Sequence, residues 1–220
     1  FDRLRGSIPN IAQRGYNALL LAQDEAVGSV LEALRAAGLE DDTIVIFVSD
    51  NGNAVSRPGS NAPFSGGKFT TWEGGIRMPY MMKWPGRISA GQVYEQPVST
   101  LDILPTVAAA CGVPTSAAQP LDGVDLLPYL NGEASGAPHE ALFWKIAEYS
   151  AVRVGRWKLY RESRHGIARL HDLETDPGEQ HDVSAAHPDV FQALIARYDA
   201  WDRSLPPRAW TNISPVHQLK

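Results

Sequence analysis

Thr43-Ile44-Val45-Ile46-Phe47-Val48-Ser49-Asp50-Asn51-Gly52 is the stretch on which the fold of this chain turns. Residues 43–48 are a short, continuous apolar run rich in β-branched side chains. Such a run reads as a strand covered on both faces, the pattern of a parallel sheet flanked by helices. Upstream, Ile11 to Ala37 places Tyr16, Leu19, Leu20, Val27, Val30, Leu31 and Leu34 at spacings of three and four, which predicts an amphipathic helix. Gly38 follows where a left-handed helix cap is wanted. Helix, tight turn and buried strand, in that order, belong to an α/β fold.

Downstream the periodicity stops. Asp50 to Gly75 is rich in Gly, Ser, Asn and Pro, and it begins at the C-terminal end of the buried strand, where open α/β sheets place their ligands. Met78 to Trp84 reads as a second short strand closed by Pro85-Gly86, and Leu101 to Cys111 as a helix with Asp102 in its first turn and Gly112 after it. The character changes near Pro120, and Gly132 to Pro138 reads as a linker. Beyond it, strand-like runs at Ala141–Ile146, Ser150–Val154, Trp157–Tyr160 and Arg169–Leu173 alternate with turns such as Gly155-Arg156 and Asp176-Pro177-Gly178. A helix over Pro188 to Trp201 closes the pattern. The expected organisation is an α/β part over residues 1–131 and a subdomain over 132–220, a small antiparallel sheet with one helix packed on it.

The composition bounds what the chain does. Its 220 residues carry 44% hydrophobic and 20% charged side chains with a formal charge of -5, ordinary values for a folded globular protein. No basic run suggests a nucleic-acid surface, and no apolar run approaches the ~20 residues that span a bilayer. Cys111 is the one cysteine, so no intrachain disulfide forms, and it reads as a buried residue at a helix end. The chain opens on Phe1-Asp2-Arg3, without initiator Met or signal-like apolar segment, which reads as a start inside a longer protein or after a removed precursor. Asn212-Ile213-Ser214 matches the glycosylation triplet, with Pro215 directly after it weighing against use. His139, His165, His171, His181, His187 and His217 lack the spacing of a helical metal site and read as solvent-facing or strand-edge residues. The tryptophans read as packing, with Trp72 placed where it could touch a ligand of the loop.

Four segments carry candidate chemistry. Asp50 and Asn51 offer a carboxylate and an amide oxygen, hard donors suited to Ca²⁺ or Mg²⁺; the same tetrapeptide also makes a plain Asn-Gly turn. Calcium takes about six to eight oxygens, so further ligands must come from elsewhere. Lys68, in Ser65-Gly66-Gly67-Lys68, can bring a point charge to an oxyanion while the glycines allow close backbone approach; the alternative is a solvated loop lysine. It is not a phosphate-binding P-loop, because the outer glycine is absent and Phe69 stands where Ser or Thr is needed. Trp72-Glu73-Gly74-Gly75-Ile76-Arg77-Met78-Pro79, leading to Lys83-Trp84-Pro85-Gly86, reads as a structural bend, with Arg77 able to orient an acidic group. Leu170-His171-Asp172-Leu173-Glu174-Thr175-Asp176-Pro177-Gly178-Glu179-Gln180 reads as a strand and a type I turn with a structural role.

Each segment is weak alone, but the ordered set closely resembles the sulfatase family. It comprises Ser49-Asp50-Asn51-Gly52, Gly66-Gly67-Lys68, Glu73 to Pro79, Trp84-Pro85-Gly86, Ser99-Thr100-Leu101-Asp102-Ile103-Leu104-Pro105-Thr106 and the Leu170–Gln180 stretch. The resemblance runs from about Tyr16 to Trp201. It implies an α/β sandwich of the alkaline-phosphatase-like superfamily with a small C-terminal antiparallel sheet plus helix. It implies further that Asp50 and Asn51 are two ligands of one divalent cation, most commonly Ca²⁺, and that Lys68 binds the sulfate group.

The family nucleophile is a formylglycine made from Cys or Ser in a Cys/Ser-x-Pro-x-Arg motif. Cys111-Gly112-Val113-Pro114-Thr115 has proline one place late and no arginine, and Ser56-Arg57-Pro58-Gly59-Ser60 has Ser60 where arginine is required. The nucleophile, the paired aspartates and the catalytic histidine are therefore expected in an N-terminal half that precedes this chain. The leading expectation is a sulfuric ester hydrolase acting on a small-molecule or saccharide sulfate, with aryl sulfates, sulfated sugars and choline sulfate all open. A phosphate or phosphonate ester hydrolase of the same superfamily is the nearest alternative. Read as a fragment, the chain is non-catalytic alone and prone to associate through exposed sheet surface. The resemblance implies a periplasmic, secreted or lysosomal compartment without choosing among them.

Overall fold

Helix α1 (Ile11–Ala36) starts where the Asn10 side chain accepts the Gln13 amide at 2.9 Å, a side-chain N-cap, and ends before Gly38, whose φ of +68° is the left-handed turn expected from the sequence. The computed structural model describes Ile8 and residues 10–116 and 120–206; Phe1-Asp2-Arg3, the Asn212-Ile213-Ser214 triplet and His217 lie outside the described residues. The remaining elements are β1 (Val45–Val48), α2 (Glu73–Ile76), β2 (Tyr80–Lys83), α3 (Ile103–Ala110), α4 (Leu127–Leu130), β3 (Leu142–Ile146), β4 (Tyr149–Val154), β5 (Trp157–Glu162), β6 (Ile167–Asp172) and α5 (Pro188–Ser204). Among the described residues, no helix is long and apolar enough to cross a membrane.

The chain forms two compact units. One holds the residues up to Val48, Ser56–Gly59 and Pro79–Pro138; the other holds Ser49–Val55, Ser60–Met78 and the residues from His139 on.

In the first unit β1 pairs with β2, Val45 opposite Lys83 and Val48 opposite Tyr80. The pairing is antiparallel, and all four β1 residues are half-buried, where the apolar run led us to expect a parallel strand covered on both faces. Apolar composition reports how much cover a strand requires, not the direction of its neighbour. α1 buries none of its residues, and its apolar stripe remains open at Leu19 (73% exposed) and Val30 (61%).

The Ser99–Thr106 motif gains a structural reason in this unit. Ser99 and Asp102 form a capping box, with the Ser99 amide donating to Asp102 Oδ2 at 2.7 Å and the Leu101 amide to Ser99 Oγ at 3.2 Å. The other carboxylate oxygen of the fully buried Asp102 accepts the Val124 amide at 2.9 Å, and Thr106 Oγ1 accepts the Leu126 amide at 3.0 Å. Two buried polar side chains thus satisfy the backbone that leads into α4. Cys111 is exposed, not buried as expected: it is the C-cap of α3, and Gly112 turns the chain away at a φ of +66°.

In the second unit β3, β4, β5 and β6 form an antiparallel meander in sequence order. The register sets Val152 opposite Leu159 and Leu159 opposite Leu170, so these three share one face of the sheet. They are completely buried and pack with Leu194 and Tyr198 of α5 into the core. Each such side chain is worth about 1.5–3 kcal/mol of burial. The opposite face carries Ala151, Lys158, Tyr160 and His171, and these four are buried as well. Its cover is the glycine-rich segment 60–78, whose Trp72 ring stacks on Tyr160 at 3.8 Å between centroids and meets His171 edge-on at 5.4 Å. Helix on one side and loop on the other make the sheet the support on which the loop is laid.

Candidate functional site

Directly after β1 the chain enters the segment with the candidate metal ligands. Ser49 Oγ donates to the Asn51 carbonyl at 2.9 Å, and Asn51 Nδ2 donates to the Gly52 carbonyl at 2.9 Å. That use of the amide nitrogen leaves Asn51 Oδ1 available as an acceptor. Asp50 is exposed, and among the described residues its carboxylate makes no hydrogen bond or ion pair.

The loop is tied to itself by main chain and by one side chain. Asn61 Oδ1 accepts the Asn53 amide at 2.8 Å, while its Nδ2 donates to the carbonyls of Asn53 (2.8 Å) and Gly66 (3.0 Å). The Gly52 amide donates to Gly75 O at 3.1 Å, the Lys68 amide to Asn53 O at 3.2 Å, and the Gly74 amide to Ser65 O at 2.8 Å. A β-carbon on Gly52 would lie 1.7 Å from Gly74 O, so no other residue fits there without moving the backbone. The segment bearing Asp50 and Asn51 and the segment bearing Lys68 are thereby held in one layer. Sequence reasoning assigns Asn61 no role of its own; a short amide side chain among turn residues is the signal that could have flagged it.

Lys68 is half-buried, with Nζ 5.3 Å from the centroid of the Phe69 ring. Phe69 adopts a φ of +73°, the left-handed region that is costly for a bulky residue. The Gly67–Thr70 turn holds it there: the Thr70 amide donates to Gly67 O at 3.0 Å, and Thr70 Oγ1 also donates to Gly67 O at 2.8 Å.

Behind the loop lies a buried ionic network that the sequence did not reveal. Lys158 of β5, with no exposed surface, places Nζ 2.8 Å from Glu73 Oε1 and 2.8 Å from Glu179 Oε1. Glu179 Oε2 accepts the Glu73 amide at 2.6 Å. Burial pushes the Glu179 carboxyl above the usual carboxylate range, and the neighbouring Lys158 charge opposes that shift. The second Glu73 oxygen lies 3.8 Å from Arg153 and 3.9 Å from Arg77. Breaking such a buried pair from one side costs about 3–5 kcal/mol, because a charge is left without a partner.

One further placement differs from the sequence reading, and two agree with it. His171 is 1% exposed, not solvent-facing, with Nδ1 2.8 Å from the His181 carbonyl; burial lowers its basicity. Trp72 is held by Tyr160 and His171, as packing demands. Arg77 stacks over the Phe64 ring at 4.7 Å, with Glu73 as its acidic partner.

The donor set is chemically consistent with part of a hard-cation site. A free carboxylate and a free amide oxygen on adjacent residues suit Ca²⁺ or Mg²⁺. They are too few by themselves, and among the described residues no group of three His, Cys, Asp or Glu side chains gathers to hold a metal.

Comparison with known proteins follows the same residues. The family model described as Sulfatase matches residues 12–113, and that described as N-sulphoglucosamine sulphohydrolase, C-terminal, matches residues 67–199. The chain is 33% identical to the steryl-sulfatase of Mus musculus, over 93% of this chain and 39% of that protein. It is 35% identical to arylsulfatase A of Homo sapiens, over 80% of this chain and 41% of that protein. The crystal structure of Ps i-CgsB in complex with k-i-k-neocarrahexaose superposes with a TM-score of 0.84 at 30% identity, over 91% of this chain and 45% of that one. The chain thus spans 39% and 41% of the length of these two curated relatives.

Proposed function

We propose a function from one premise: the chain belongs to the sulfatase family, of the alkaline-phosphatase-like α/β fold. In this reading the complete protein is a sulfuric ester hydrolase, and the chain contributes half of its cation site and one sulfate-binding lysine. The observation that carries the reading is the juxtaposition built by the loop, in which the free donors of Asp50 and Asn51 share a hydrogen-bonded layer with Lys68.

Each residue then has a task. Asp50 and Asn51 would hold a divalent cation, Ca²⁺ or Mg²⁺, which when bound supplies fixed positive charge beside the sulfuryl oxygens. Lys68 places its ammonium against the same oxygens, where negative charge grows as the ester bond breaks. The nucleophile of this reading is a formylglycine in an N-terminal half outside this chain, which when present supplies the attacking oxygen. That half also covers the open stripe of α1 and adds neighbours to β1 and β2, whose apolar residues call for them. Residues 1–131 are then the C-terminal part of the catalytic domain and 132–220 its appended subdomain. The substrate is a small-molecule or saccharide sulfate; the oligosaccharide bound to Ps i-CgsB supports the saccharide class.

The test is metal removal. Chelation of the complete protein brings hydrolysis of an aryl sulfate to background, and Ca²⁺ restores it. Turnover that survives complete removal of divalent ions would remove Asp50 and Asn51 from the reaction.

A further inference from the structure

We propose that Lys158, Glu73 and Glu179 are positioning residues for Lys68, so that the four-stranded sheet sets the place of the lysine from behind; the proposal rests on the role of Lys68 given above. The three side chains come from β5, from the first residue of α2 and from the turn after β6, and all are buried. Glu73 is gripped twice, by its carboxylate through Lys158 and by its own amide through Glu179. Beyond Glu73 there is no slack. A β-carbon on Gly74 would stand 2.5 Å from Ser65 O, and one on Gly75 would stand 2.4 Å from Thr70 O and 2.5 Å from Gly67 O. The backbone on either side of Lys68 is therefore in close contact with the two residues that follow Glu73. Moving Glu73 moves that contact, and Lys68 with it.

A second tie reinforces the first. Ser65 Oγ donates to Gly178 O at 2.6 Å, and Gln180 Nε2 donates to Ser65 Oγ at 2.7 Å. The turn that carries Glu179 thus also holds the start of the Ser65–Lys68 segment. An apolar trio of equal volume would fill the space, and buried ion pairs seldom stabilise more than such a replacement. What the ionic version adds is direction: a carboxylate bridged by one ammonium, with its amide bound to a second carboxylate, has a single orientation.

The experiment is amide hydrogen exchange on the complete protein carrying Lys158→Met, with Lys158→Met/Glu179→Gln as the variant that leaves one fewer buried charge unpaired. Exchange at Gly52, Lys68, Glu73 and Gly74 should rise by ~10-fold or more, while Val152, Leu159 and Leu170 of the sheet stay protected. Uniform acceleration in the double variant, loop and sheet alike, would overturn the proposal. Turnover supplies the link to Lys68. If the network acts through that lysine, adding Lys68→Ala to the double variant lowers kcat by much less than Lys68→Ala does alone. A full-sized additional loss would contradict the link. Should Lys68→Ala alone leave turnover unchanged, the sulfate-binding role of Lys68 fails, while the exchange pattern still decides whether the network fixes the loop.

Discussion

Asp50→Ala in the complete protein is expected to abolish Ca²⁺ binding, and sulfate-ester hydrolysis with it. Asp50 is the one formal negative charge in its tetrapeptide, and a neutral amide oxygen on Asn51 cannot hold a hard dication without it. The substitution should leave the fold alone, because the side chain is exposed and makes no hydrogen bond or ion pair among the described residues. Calorimetric titration of metal-stripped protein with Ca²⁺ checks the binding, and a thermal melt without metal checks the fold. Wild-type affinity for Ca²⁺ in the variant would place the cation elsewhere. A lowered melting temperature without metal would make Asp50 a structural residue.

Lys68→Ala is expected to cost about 2–4 kcal/mol of transition-state stabilisation, roughly 30- to 1000-fold in kcat/KM. The substitution keeps the Lys68 amide bond to Asn53 and removes only the ammonium and its stem. The loss should fall on kcat at least as strongly as on KM, since the charge it meets is larger in the transition state than in the bound ester. Steady-state kinetics on an aryl sulfate reads the split. A rise in KM with kcat intact would reduce Lys68 to a ground-state binder, and unchanged kinetics would return it to the solvated loop lysine that it resembles in isolation.

Much of the fold was legible because local chemistry specifies it. The four strands of the second unit are separated by tight turns, and α1 and α5 carry periodic apolar residues that no strand would show. The direction of β1's partner was not legible, since a continuous apolar run records burial and nothing about orientation. Lys158 shows where local reading stops. It alternates with the core residues Trp157 and Leu159, so pattern alone places it on a wet face. That face is dry because Trp72 and Glu73 lie on it, and Glu73 precedes Lys158 by 85 residues. His171 was misplaced for the same reason, as the alternate neighbour of Leu170 on β6. Glu73 and Glu179 looked structural in the sequence; what the sequence lacked was any local sign that the two motifs meet.

The candidate site divides in the same way. Asp50, Asn51 and Lys68 stood out because paired hard donors after a buried strand and a lysine after two glycines are local patterns with chemical meaning. Asn61 and the ionic network stayed hidden because their meaning is entirely in their partners.

The central claim is that this loop belongs to an enzyme built for sulfate esters. The most direct measurement is the pair of kcat/KM values of the complete protein, metal-loaded, on one aryl sulfate and on the aryl phosphate with the same leaving group. The account predicts faster turnover of the sulfate. Faster turnover of the phosphate would contradict it and move the protein to the phosphate-ester side of the superfamily.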